Sequence, residues 1–395
     1  MRLVLASLHL SWLGGATSYL LTVAPALTRL GHEVTLYSPD AGDTAAVARA
    51  RGIDLVVNED DLPATCDAVL TQDPVMSLEL GARLAVPQVF VSHGAELDMA
   101  APPQIHGAVA AAVAMNDRVL ARLEAMAVGT RRVRLKQPID MDLFRSRGPL
   151  RERAAEVLLL GNYMRGERRA MVTGACEQLG LRHVQLGRAG EMSASPGAAI
   201  GSADIVIGYG RSLLEAMACG RAAYLLDHLG SDGWVTAESY PAMERDGFAG
   251  LTGRGELTRE RLRSDLLAYD PHMGLVNESL IQAGHTAWEH ARQLAALFAS
   301  LADQPAVRLD SGRELARLAR MQWHADWRSN ELLRELQETR TQLHEQERLT
   351  AAAVARADAT EAAATALART RRWRAVQRVL APIDALRARI RALTQ

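Results

Sequence analysis

Residues 203–227, ADIVIGYGRSLLEAMACGRAAYLLD, set Gly208, Tyr209, Gly210, Arg211 and Ser212 between an apolar strand and an apolar helix, with Glu215 in the helix's first turn. Small residues at the carboxyl end of a parallel strand let a ligand approach the backbone. The first N–H groups of the next helix lack partners within it and favour anions. Arg211 adds a cation with several donors. Together these groups suit a diphosphate, and Glu215, one turn deeper, suits the two hydroxyls of a ribose. A structural account fits the same residues. Ser212-x-x-Glu215 is a capping box, in which each side chain satisfies the other residue's backbone N–H. A first-turn carboxylate also gains ~0.3–1 kcal/mol from the helix dipole. The residues alone leave both accounts open.

Such a turn needs a scaffold. Residues 1–145 alternate short apolar runs with helical spacings. RLVLASL, EVTLYS, IDLVV, CDAVLTQ, PQVFVSH, AVAAAVAMN and RRVRLK read as parallel strands covered on both faces. ATSYLLTVAPALTRLGH and DRVLARLEAMA read as helices, the first kinked at Pro25. Residues 155–300 repeat the scheme with strands EVLLLG, RHVQLG, ADIVIG and AAYLLD. Their helices include RRAMVTGACEQLG, LLEAMACG and one long SLIQAGHTAWEHARQLAALFASLA. Two successive βαβ series predict two doubly wound domains, 1–145 and 146–304, joined through QPIDMDLFRSRGPLRE.

Residues 305–395 differ. A polar, helix-favouring stretch begins at Ser311, with Leu336 and Leu343 seven apart and Leu332 and Leu333 one turn earlier. The register then degrades to Thr350, Ala357 and Ala364. This spacing predicts a long helix, either a coiled coil that makes a homo-oligomer or a helix packed on the domains. From Arg369 the tail carries eight arginines and one aspartate, Asp384. Trp373, Val376, Val379, Leu380, Ile383, Leu386 and Ile390 recur at three or four. A basic amphipathic helix of this kind lies on an anionic membrane surface or docks on protein.

With 48% hydrophobic and 23% charged residues, the 395-residue chain has the composition of a soluble globular protein. A formal net charge of −1 gives no global pull toward nucleic acid. Lys136 is the only lysine. Cys66, Cys176 and Cys219 show no metal-ligand or disulfide-framework spacing and suit a reducing cytoplasm. The apolar start MRLVLASLHL reads as the first strand rather than a signal peptide, and no run of about 18 apolar residues predicts a spanning helix.

GYGRSLLEAMACG resembles the donor-binding motif of GT-B glycosyltransferases of family four. That motif is commonly glutamate, glycine, aromatic, glycine, then an apolar residue and a second glutamate on a helix. Gly208, Tyr209, Gly210, Leu214 and Glu215 match; Ile207 stands where the first glutamate would. GGATSYLLTVAPALTRLGHEVTLYSP resembles the family's N-terminal glycine pair and helix, with Gly14 and Gly15 facing the cleft. VFVSHG resembles the strand end that carries a cleft histidine, here His93. VAMNDRVLARL and LKQPIDMDLF resemble the last N-domain strand with its helix and the interdomain hinge. Asp140 and Asp142 thus form a DxD that the resemblance makes structural, and no metal site is expected. In LLLGNYMRGERR, Gly161 keeps the family's glycine, Asn162 replaces its arginine, and Arg165-Gly166 stands for its Lys-Gly. Arg168 or Arg169 is the alternative to Arg165, and Arg188 ends a strand as a loop arginine.

The resemblance covers roughly residues 1–300. It implies two Rossmann-like domains facing a cleft, followed by the helical extension. It implies a retaining, metal-independent sugar transfer from a nucleoside diphosphate sugar to a hydroxyl of a glycan or lipid-linked acceptor. No other cofactor is implied. The setting would be cell-surface polysaccharide or glycolipid synthesis, in the cytoplasm or at the inner face of the membrane. Donor binding falls to Gly14, Gly15, Gly161, Gly208, Tyr209, Gly210, Ser212, Leu214 and Glu215, with Glu215 on the ribose. Catalysis falls to His93 at the transferred sugar and to Arg165 and Arg211 at the diphosphate. The missing first glutamate keeps open a binding protein without turnover that acts as a scaffold. A GT-B sugar-nucleotide epimerase is a third reading, for which no carboxylate set suited to proton transfer stands out.

Overall fold

The computed structural model describes the chain except residues 12–13, 127–128, 146–147, 163, 188–195, 227–228, 254–256 and 394–395, together with the side chains of 334, 338, 345 and 371. The first sheet contains β1 (Arg2–Ala6), β2 (Glu33–Tyr37), β3 (Asp54–Val56), β4 (Ala68–Thr71), β5 (Gln88–Ser92), β6 (Ala111–Ala114) and β7 (Arg131–Arg134). Its order is β3-β2-β1-β4-β5-β6-β7 and every pairing is parallel. The helices α1 (Gly15–Arg29), α2 (Thr44–Ala50), α3 (Pro74–Arg83) and α4 (Asp117–Ala125) connect these strands. The central strands read as unbroken apolar runs because both faces are covered, and β4, β5 and β6 are buried throughout.

The second sheet holds β8 (Glu156–Leu160), β9 (Arg182–Leu186), β10 (Ile205–Gly208), β11 (Ala222–Leu225) and β12 (Gly233–Trp234). Its order is β12-β11-β10-β8-β9, parallel except for β12. Around it lie α5 (Gly166–Leu179), α6 (Gly197–Ser202), α7 (Gly210–Ala218), α8 (Tyr240–Asp246), α9 (Arg259–Leu267) and α10 (His272–Gly284). These are two Rossmann-like, doubly wound arrangements.

The chain then departs from the expected division at 304. The predicted single helix over 279–302 is two helices, α10 and α11 (Ala287–Leu301). The break has a physical cause. The His285 carbonyl accepts from Ile139 N at 2.7 Å, and Ile139 O accepts from Ala287 N at 2.9 Å, so these backbones pair across the two domain crossings. Thr286 then caps α11 through its side-chain oxygen. The buried face of α11, Ala291, Leu294, Leu297, Phe298 and Leu301, shares a core with Tyr19, Leu20, Val23 and Leu27 of α1. Thus α11 returns to complete the first domain.

The helical extension is α12 (Gly312–Ala368) and α13 (Arg371–Leu393). Its beginning also belongs with the first domain. Leu309 N donates to Gly81 O, and Leu309, Ala316, Ala319 and Trp323 pack on the core around Val75, Leu78 and Leu80. Two compact units result, Met1–Trp323 and His324–Gln395. Among the described residues no helix is long and apolar enough to cross a membrane.

The crossing from the first domain to the second is clasped by buried histidines. His290 Nδ1–H donates to Lys136 O at 2.8 Å, and its Nε2 accepts from the Tyr19 hydroxyl at 2.9 Å. His285 Nδ1–H donates to Gln137 O at 2.7 Å, and its Nε2 accepts from the Tyr240 hydroxyl at 2.8 Å. Both rings are therefore neutral. Burial pushes each down to about 4 from an ordinary value near 6.5. A base lowered in the fold contributes stability above its unfolded pKa and loses it as pH falls toward the folded one. Urea unfolding should show a loss of about 1.5 kcal/mol per histidine between pH 6.5 and pH 5. The His285→Gln, His290→Gln double variant should lose that slope while keeping its other pH dependence.

Candidate active site

In an open parallel sheet, ligands settle where the strand order reverses, outside the carboxyl ends. The second sheet reverses between β8 and β10. Gly161 and Asn162 follow β8, and Gly208, Tyr209 and Gly210 end β10 and open α7. The Tyr209 ring lies on Gly161, where a Cβ would stand 2.6 Å from a ring carbon. Its hydroxyl accepts from Asn162 N at 3.1 Å and so joins the two strand ends. Gly210 has φ +52, a left-handed backbone that glycine adopts without strain, and its N–H donates to Phe248 O. Arg165, half-buried, is the residue preceding α5 in extended conformation. Arg168 and Arg169 follow it within α5; Arg169 is exposed. Arg188 lies outside the described residues.

The first sheet reverses between β1 and β4. The loop after β1 ends at Gly14 and Gly15, the start of α1, and nothing lies within 4 Å of where a Cβ on either would stand. After β4, Asp73 caps α3 by accepting from Met76 N, and its other oxygen accepts from Leu8 N, both at 2.8 Å. Burial pushes this carboxyl up to about 6. His93 follows β5; its Nε2–H donates to Gln72 Oε1 at 3.0 Å, leaving Nδ1 as an acceptor. The ring packs edge-on to Tyr19, with centroids 5.0 Å apart. Burial, followed by the charge of Arg211, pushes His93 down to about 3. It is a neutral hydrogen-bonding group and not a cation.

At α7 the structure overturns one reading and shows the surroundings of three expected site residues. The capping box does not form. The helix begins at Gly210, so Ser212 lies inside the first turn, and no side chain caps it. Glu215 instead turns back to Arg211, with Nε 2.8 Å from Oε1. Arg211, expected at a diphosphate, donates from Nη1 to Pro138 O and from Nη2 to Thr22 Oγ1, both at 2.9 Å. All three of its nitrogens are engaged and its side chain is 8% exposed. Leu214, expected among the donor-binding residues, is 1% exposed in the core of the second domain. Ile207 is likewise fully buried, against Leu159 and Tyr224.

Glu215 is held by Arg211 through Oε1, and among the described residues Oε2 has no hydrogen bond. Burial raises its pKa, opposed by Arg211 and then by Arg51. Arg51, from the end of α2, donates to Leu21 O at 3.5 Å, the carbonyl that Pro25 cannot reach because it has no N–H. Asp140 and Asp142 have ordinary uses. Asp140 Oδ1 accepts from the Asp142 and Leu143 backbones, and Asp142 pairs with Arg29 at 2.7 Å.

The fold thus gathers His93, Arg211 and Glu215 with Tyr19, Thr22 and His290, three residues that sequence reasoning did not single out. Tyr19 and His290 are 271 positions apart. The pair His285 and His290, five apart in GHTAWEH, was the available signal.

Two Rossmann-like domains, with the chain crossing out through Lys136–Ile139 and back through His285, define a GT-B fold. Among solved structures the chain is similar to HepE of Anabaena in complex with UDP-glucose (TM-score 0.55, 13% identity), covering 76% of this chain and 100% of that one. The HepE complexes with UDP and glucose and with UDP cover the same shares, each at TM-score 0.53 and 12% identity. At these identities the likeness is one of fold. No family model and no curated protein sequence matches the chain.

The buried pair makes a stability prediction. Glu215→Ala leaves the Arg211 charge uncompensated and should cost about 3–5 kcal/mol in urea unfolding. Glu215→Gln, which keeps an acceptor for Nε, should lose less than half of that.

Proposed function

We propose that this chain is a glycosyltransferase that moves a sugar from a nucleoside diphosphate sugar to an acceptor hydroxyl. The observation that carries this reading is Glu215: a carboxylate on the first helix after the second sheet's reversal point, with Oε1 held by Arg211 and Oε2 without a hydrogen bond among the described residues. The fold supports it, since HepE, which shares that fold, is described with UDP-glucose and with UDP. On this reading Glu215 holds the ribose and does not transfer protons. Breaking the glycosidic bond leaves charge on the diphosphate. The Arg211 and Ser212 amides at the start of α7, which have no carbonyl of their own helix to bond, and the Arg165 side chain stabilise that charge. Gly161, Gly208, Tyr209 and Gly210 shape the floor beneath the donor. Gly14 and Gly15 leave room above it, and His93 offers Nδ1 to a sugar hydroxyl. We further propose, from the resemblance of GYGRSLLEAMACG to the family-four motif, a retaining, metal-independent transfer to a glycan or lipid-linked acceptor.

Purified protein should hydrolyse slowly one member of a panel of labelled sugar nucleotides. Glu215→Gln should weaken binding of the corresponding nucleotide roughly 10- to 100-fold by calorimetry, the value of a hydrogen bond to a charged group. A panel with no bound member would remove the reading. The buried Ile207 favours one second reading, binding without turnover; a donor that binds and stays intact under long incubation would select it.

We place α13 on an anionic bilayer. Its apolar residues Trp373, Val376, Leu380 and Ile383 are 39–46% exposed, and eight arginines occur from position 369 on. Deleting residues 369–395 should abolish sedimentation with phosphatidylglycerol vesicles. Equal sedimentation of both forms would exclude this placement.

A further inference from the structure

Three successive carbonyls of the crossing between domains, those of Lys136, Gln137 and Pro138, each accept from a buried side chain: His290, His285 and Arg211. The two histidines are held in turn by tyrosines, Tyr19 in the first domain and Tyr240 in the second. Arg211 differs from them. Its three nitrogens reach three separate parts of the molecule: Glu215 on its own helix, Pro138 in the crossing, and Thr22 on α1 of the first domain. The Thr22 hydroxyl gives its proton to Ser18 O at 2.7 Å, so its oxygen faces Arg211 as an acceptor. Thr22 is 2% exposed, and water does not substitute for it without repacking.

From this geometry we infer that Arg211 is a positioning residue that fixes the Glu215 carboxylate for the donor's pentose and joins that carboxylate to α1, so that nucleotide binding and closure of the two domains are one linked equilibrium. The inference rests on the nucleotide reading of Glu215 and adds the partner through which it acts. A planar guanidinium serves the three acceptors at once because its donors diverge in one plane, which an ammonium cannot reproduce. A ligand that engages Oε2 orients the carboxylate whose other oxygen Arg211 grips, and Arg211 passes that constraint to Thr22. Linkage is reciprocal: loosening the Thr22 end must weaken the ligand at the Glu215 end.

The test is Thr22→Val, which keeps the shape of the side chain and removes the acceptor, with Thr22→Ser as the conservative partner. UDP and GDP are titrated by calorimetry, and small-angle scattering with and without nucleotide reports closure. Thr22→Val should bind about fivefold or more weakly and contract less on binding, and Thr22→Ser should restore both. A purely structural threonine would lower the melting temperature and leave nucleotide affinity unchanged below it; that result overturns the inference and leaves the nucleotide reading standing. Failure of wild-type protein to bind either nucleotide overturns both. Should Thr22→Val not fold, amide exchange in the wild type decides. Nucleotide should slow exchange in residues 18–22 and 136–139, and unchanged exchange there refutes the linkage.

Discussion

A guanidinium buried between two domains must find acceptors for its charge and its donors, or the interface does not form. Arg211 meets that demand with one carboxylate, one carbonyl and one hydroxyl, drawn from three segments of the chain. Taking such an ion from water costs several kcal/mol, which the pairing with Glu215 offsets only while its geometry is kept. The position of α7, the path of the crossing and the face of α1 are therefore constrained by one side chain. Substituting any acceptor loads its loss onto the other two.

Around this centre lie pairs of lesser weight. Arg134 meets Glu244 at 2.5 Å, Arg118 lies 3.6 Å from Asp246, and Arg29 bridges to Asp142. Asp142 is 81% exposed, and a pair in that setting is screened and contributes about 0–1 kcal/mol. That exposed pair orients the domains without holding them, whereas Glu244 and Asp246 meet their arginines with side chains about one-tenth exposed. The neutral His285 and His290 do hold the crossing, because their second nitrogens are committed to tyrosine hydroxyls and their rings are out of water.

The reversal points of the two sheets supply the other half of the design. At each of them the chain leaves the carboxyl ends of neighbouring strands in opposite directions, and a glycine stands where the next helix is approached: Gly14 and Gly15 in the first domain, Gly161 and Gly208 in the second. In the second sheet the Tyr209 ring on Gly161 fixes one strand end against the other. The left-handed turn at Gly210 then delivers the backbone into α7. Contact between the strand ends and the three-way bonding of Arg211 are complementary: the first ties two strands of one sheet, the second ties that domain to α1 of the other.

The strands were legible in the sequence because parallel strands buried on both faces read as short apolar runs. Their order along the chain named two doubly wound domains, and the glycines around Tyr209 marked a strand-to-helix turn with Glu215 beyond it. Local pattern also misled. Ser212-x-x-Glu215 satisfied the spacing of a capping box, yet a buried arginine four residues earlier is a stronger partner for a carboxylate than a backbone N–H. The apolar spacing over 279–302 was helical throughout, but the His285 backbone had a partner 146 positions away, at Ile139. Nor could spacing show that α11 closes the first domain, that the start of α12 packs beside it, or that Tyr19 meets His290. Periodicity reports which face of an element is apolar. Which other surface covers that face, and which distant group satisfies a buried charge, is decided only when the chain has folded.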